Sequence, residues 1–266
     1  MIADTNILHC SLAQLQQKIK QQEITAVSLL DHVMGRLKNV NAKLNAITHY
    51  NTEDALIAAQ NCDELTKAGK SLGPLHGIPL TIKDSINVNG LPTTLGCQAF
   101  ADFIPAHEAI AVQRLRQAGA VIVAKTNVPE FVFAGETDNL VFGRTNNPYD
   151  LTRTPGGKAA VVAAAASPAG LGSDMLGSLR IPAHNCGLAT IRPTVGRVPS
   201  SYGGNDHPQG FYTGLKAIVS AYGPLTKYVA DAELLLNIIS GYDGIDPTCK
   251  HSKPIDSSTE IGRAHV

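Results

Sequence analysis

Ala120-Val121-Ile122-Val123-Ala124 is an all-apolar run of five residues set between Gly119 and Lys125. It is too short for a buried helix and has no polar face, so it suits a strand covered on both sides of a sheet. That places the chain among α/β folds, in which helices cover both faces of a largely parallel sheet. Neighbouring segments fit the same plan. Ser11 to Lys20 and a stretch following Thr25, an N-cap residue, carry apolar positions at helical spacing. Ala46 to Tyr50 reads as a short strand, Glu53 to Lys67 as a helix, and Gly77 to Lys83 as a strand. Pro79 limits that last strand to an edge or an early position. Pro105 to Gln117, Lys158 to Ala166 and Ala230 to Ser240 read as helices, Gly187 to Ile191 as a strand, and Tyr202 to Gly214 as a loop.

The bulk properties exclude several classes of protein. Lys plus Arg equals Asp plus Glu at 22 each, so no net field draws in nucleic acid or an anionic membrane. Trp is absent and aromatics are 5%, which argues against a base-stacking surface. No apolar run approaches the roughly 18 residues of a spanning helix, and the first residues show no basic segment followed by an apolar core, so no secretory signal is expected there. The five cysteines are scattered without C-x-x-C spacing, which points to reduced thiols, a cytoplasmic setting and no metal cluster.

A Gly- and Ser-rich turn, Gly172-Ser173-Asp174-Met175-Leu176-Gly177-Ser178, follows the apolar segment Ala169 to Leu171 and precedes a helix start. Backbone amides from Met175 to Ser178 are then free to face a ligand and to favour developing negative charge. Ser178 is the candidate nucleophile. The hydrolase elbow G-x-S-x-G does not apply, because Leu176 and Arg180 stand where glycines are required. A phosphate loop also fails, with Ser178 in place of its lysine. His184, six residues on, is either a base or a surface residue. Lys83 ends an apolar strand, where burial would leave a neutral amine able to act as a base. The alternative is a lysine reaching from the strand end to solvent. Pro155-Gly156-Gly157 is either a catalytic loop or a turn with positive φ.

Five ordered segments together resemble the amidase signature family. They are Gly77 to Asp84 (GIPLTIKD), Lys125 to Phe131 (KTNVPEF), Gly143 to Tyr149 (GRTNNPY), Thr154 to Gly157 (TPGG) and the turn through Arg180-Ile181-Pro182-Ala183. The resemblance runs in order from about Leu72 to Pro224. It implies a mixed β-sheet covered by helices and hydrolysis of carboxylic amides by a Ser–cis-Ser–Lys triad, without metal or organic cofactor. Lys83 would be the general base and Ser178 the nucleophile. The amides of Met175, Leu176, Gly177 and Ser178 would form the oxyanion hole. The implied partner is a small-molecule amide, in a protein that could be a homodimer.

The chain departs from the family pattern in three ways. Gly156-Gly157 pass straight to Lys158, so the Ser-Ser-Gly-Gly that carries the linking serine is missing. Loss of one member of such a triad costs about 10⁴-fold in rate, so this copy is expected to be inactive. Leu176 stands where the family has glycine, a problem if φ there must be positive. Family members are also much longer, so the C-terminal part of the fold is expected to be missing. Residues 1–259 read as one amidase signature domain and residues 260–266 (EIGRAHV, beginning at Glu260) as a non-native tail resembling translated adapter DNA. Two other readings are a catalytically dead scaffold and the amidase component of a tRNA-dependent amidotransferase.

Overall fold

The computed structural model describes residues 7–200, 219–251 and 253–254. The expected loop Tyr202 to Gly214 and the expected tail at residues 260–266 lie outside them. The chain opens with helices α1 (Leu12–Lys20) and α2 (Ala26–Leu44). Ser11 and Gln14 cap α1 reciprocally, and the Thr25 hydroxyl accepts from the Ser28 amide at the start of α2. Strand β1 (Ile47–Tyr50) and helix α3 (Thr52–Lys67) follow, then β2 (Pro79–Lys83), α4 (Ile110–Gln117) and β3 (Val121–Thr126). The second half contributes α5 (Gly157–Ala163), β4 (Ala169–Asp174), α6 (Arg180–Cys186), β5 (Ala189–Thr190), β6 (Ala221–Thr226) and α7 (Val229–Ile239).

The six strands form one mixed sheet in the order β1-β3-β2-β4-β6-β5. Its centre is parallel, with β2 between β3 and β4, while β1, β5 and β6 join antiparallel. The apolar run at Ala120 becomes β3, and every residue of β2, β3, β4 and β6 is buried. Pro79 begins a central strand rather than an edge. As the first residue of β2 it withholds an N–H only where pairing starts.

Strands β2 and β5 are shorter than expected, and two helix boundaries also differ. Helix α4 begins at Ile110 instead of Pro105, because Ala109 is extended and its amide donates to the Asn87 carbonyl. Helix α5 stops at Ala163 instead of Ala166. Ala165 is left-handed at φ 53°, and the Ala166 amide returns to the Val161 carbonyl.

Small residues let α5 lie close to the sheet. An added Cβ on Gly157 would come within 2.6–2.7 Å of the backbone O and N of Asn127, so this position tolerates no side chain. Gly156 has φ −66°, and neither glycine has positive φ. Close approach at Gly157, not a left-handed turn, is what this pair supplies.

Candidate active site

The carboxyl ends of β2 and β4 lie side by side, and each delivers one part of the site. Strand β2 ends in Lys83, whose side chain is buried. Its Nζ donates to Ser173 Oγ at 3.0 Å. Burial pushes this lysine well below the usual range. The nearby Lys158 charge pushes the same way, and the Asp174 carboxylate opposes them. Lys83 is therefore a buried lysine whose surroundings favour the neutral amine, not one reaching for solvent. Its neighbour Asp84 is held in a separate buried pair with Lys125 Nζ at 3.4 Å, which is also tied to the Pro92 carbonyl and Thr93 Oγ1 at 3.0 Å.

Strand β4 ends in Asp174, whose carboxylate shapes the turn carrying Ser178. Asp174 Oδ1 accepts the Gly177 amide at 2.8 Å, and Oδ2 accepts the amides of Leu179 and Arg180 at 3.1 and 3.3 Å. Burial alone would raise this carboxyl. The Arg180 guanidinium and the three amides outweigh it and hold the pKa at about 2. The sequence marks Asp174 only faintly, as a lone acid in a Gly/Ser turn six residues before an arginine, and motif reasoning passes over it.

The turn corrects two expectations. The Gly177 amide is not free for a ligand, because it is committed to Asp174. The amides of Met175, Leu176 and Ser178, and Ser178 Oγ, have no hydrogen-bond partner among the described residues. Leu176 is not among the positive-φ residues; that conformation falls on Gly177 at φ 120°. The leucine side chain instead stands 77% exposed.

A cavity of about 210 Å³ opens at this end of the sheet, lined by Lys83, Lys158, Met175, Leu176, Gly177 and Ser178. Pro129, Val132, Phe133 and Ile181 give it apolar walls, and Thr137, Thr154 and Asn185 are polar points on them. Lys83 and Ser178 thus share one cavity, although no hydrogen bond joins them among the described residues. His184 lies exposed on α6 and is not part of the lining.

Lys158 is the site residue that sequence reasoning misses. It is 2% exposed, and its Nζ donates to the Ser178 carbonyl at 3.0 Å. A Cβ on Gly172 would overlap its Cε, so the glycine in β4 makes room for the lysine stem. Burial pushes Lys158 down to about 8, against the opposing Asp174 charge. In sequence it reads as an ordinary lysine on an Ala-rich helix; only the facing glycine hints otherwise.

Comparison with known proteins identifies the family. The Amidase family model matches residues 28–264. The chain is 40% identical over 257 residues to a glutamyl-tRNA(Gln) amidotransferase subunit from Chloroflexus aurantiacus, covering 95% of this chain and 50% of that protein. Among solved structures it resembles the peptide amidase of Stenotrophomonas maltophilia, with 31% identity and a TM-score of 0.80 over 96% of this chain and 51% of that one. A bacterial aryl acylamidase of the amidase signature family gives 29% identity and a TM-score of 0.83, over 92% and 50%. The chain spans about half the length of these relatives. It belongs to the amidase signature family.

Proposed function

We propose that the protein hydrolyses the C–N bond of carboxylic amides in spite of the missing Ser-Ser-Gly-Gly segment, against the inactivity expected from its loss, with Ser178 as nucleophile and a buried lysine amine, Lys83 by family position, as the source of base. The observation that carries this reading is the shared cavity. A serine on a carboxylate-braced turn and a desolvated lysine line the same pocket at the carboxyl ends of adjacent parallel strands. Ser178 Oγ attacks the carbonyl carbon as its proton leaves for an amine. The amides of Met175, Leu176 and Ser178 are the uncommitted donors for the oxyanion. The proton then passes to the departing nitrogen, and water releases the acyl group from Ser178. The size and apolar walls of the cavity favour small aliphatic or aryl acyl groups. The test is release of ammonia or aniline from such amides by the purified chain and by Ser178→Ala. Turnover in the wild type and none in the variant supports the reading; turnover surviving in Ser178→Ala contradicts it.

A second reading draws on the relatives named as amidotransferase subunits, 40% identical over 95% of this chain. Here the same serine would work only inside a complex. Co-purification with tRNA and a second protein chain, and amide cleavage that depends on them, separates this reading from the first.

A further inference from the structure

We propose that Lys158 is a catalytic residue in this chain, exchanging a proton directly with Ser178 Oγ in place of the family's linking serine. The inference rests on the amide-hydrolase reading above and concerns how that hydrolase can run without the Ser-Ser-Gly-Gly segment.

Three observations carry it. The first is position. The helix that follows Gly156-Gly157 brings Lys158 Nζ to 3.0 Å from the carbonyl oxygen of Ser178. Oγ hangs from the same residue, so the amine lies beside the serine that carries it. The second is accommodation. Gly172 in β4 leaves the space that the lysine stem fills, and Lys158 and Ser178 line the same cavity. The third is the lack of a charge partner. Among the described residues no carboxylate lies within ion-pair distance of Lys158. Asp174 is already held by Arg180 and Arg192. A buried amine without an ion pair costs stability, and groups retained at such a cost cluster at functional sites.

The proton accounting closes with Lys158 alone. Neutral Nζ takes the Ser178 proton as the Oγ–carbon bond forms and the carbonyl π electrons move to oxygen. As the oxyanion collapses, the C–N bond breaks and the ammonium protonates the leaving nitrogen, which restores the neutral amine. Water then attacks the ester and gives its proton to Nζ. Collapse of that intermediate returns the proton to Oγ and frees the carboxylic acid. No oxidant, metal or second reactant is needed beyond water.

The groups facing Nζ define its titration. Lys83 approaches from β2, Asp174 from the end of β4, and Ser178 from the turn, with Arg180 and Arg192 acting through Asp174. Burial pushes both amines down, and the Lys158 charge pushes Lys83 further the same way. The reactive form of the site therefore appears as Lys158 deprotonates, near pH 8.

The experiment follows the labelling rate of the full chain by a fluorophosphonate from pH 6 to 10, with the adduct located by peptide mass spectrometry. Wild type, Lys158→Gln, Lys158→Arg and Lys83→Met are compared, and melting curves confirm that each is folded. Wild-type labelling at Ser178 should rise through one ionisation near pH 8. Lys158→Gln and Lys158→Arg should lose that ionisation and slow by about 10²-fold or more. Lys83→Met should keep it, whatever its rate. Ser178 labelling that stays as fast in both Lys158 variants, with the same pH midpoint, overturns the proposal. If those variants do not fold, a wild-type profile flat from pH 6 to 10 overturns it on its own. A folded wild type with no Ser178 adduct at any pH instead defeats the hydrolase reading, and this proposal with it.

Discussion

Asp174 and Arg180 close a ring beneath the turn that carries Ser178: Arg180 Nε donates to Oδ2 and Nη2 to Oδ1, both at 3.0 Å. Two parallel N–H···O bonds fix direction as well as distance. With three backbone amides on the same carboxylate, the turn has little freedom left. Replacing Asp174 with Asn keeps an acceptor but removes the charge that Arg180 and Arg192 answer. Arg180 is 56% exposed on its side chain, so solvent screens part of the pair. A loss of about 1–2 kcal/mol is expected in urea unfolding, together with slower acylation of Ser178.

The same carboxylate predicts acid sensitivity. Its folded pKa of about 2 lies below the ordinary 3.8, so the folded state binds this proton less tightly than the unfolded chain. The stabilisation is complete above about pH 4 and is lost as pH falls toward 2. Acid unfolding of the wild type should be steeper across that window than that of Asp174→Asn, which has nothing to protonate there.

Lys158→Met should make the protein more stable while impairing its chemistry. The buried amine titrates near 8 against an ordinary 10.5, so holding it protonated in the fold costs about 3 kcal/mol at pH 7. Methionine fills a similar volume without that cost. Between pH 8 and 10.5 the unfolded chain still binds the proton that the folded chain has released, so wild-type stability rises with pH there. The gap between the two proteins, read from denaturant midpoints, should therefore be widest near pH 7 and close toward pH 10.

Gly172→Ala probes the same contact from the strand side. The new Cβ would overlap Lys158 Cε and approach Leu179 Cδ2 at 3.0 Å. Overpacking of this kind costs about 1–3 kcal/mol. Paired with Lys158→Ala, which removes the obstructing stem, the substitution should lose most of that cost. A double-mutant cycle on thermal unfolding would report the coupling directly.

How much of this is legible in the chain depends on how local each cause is. The strand at Ala120 and the cap at Thr25 rest on a few adjacent residues, and they form as their pattern implies. Lys83 and Ser178 are recognisable by motif, and both line one cavity. What stays hidden depends on contacts between distant segments. Helix α4 starts late because Asn87, on the loop after β2, takes the Ala109 amide. Gly177 is a different case: the Asp174 carboxylate that takes its amide is only three residues away, a local aspartate turn that the motif reading passes over. Lys158 looks like a surface residue until Gly172, fourteen positions on, is placed opposite it.

The central claim is that a hydroxyl on the Asp174-braced turn takes up the acyl group of an amide. Acid quenching of the chain during turnover of an aryl amide, followed by peptide mass spectrometry, tests it most directly. An acyl group on the peptide bearing Ser178, absent from Ser178→Ala, is the predicted result. Amide turnover with the acyl group on another residue, or with no acylated peptide while product accumulates in Ser178→Ala, would contradict it.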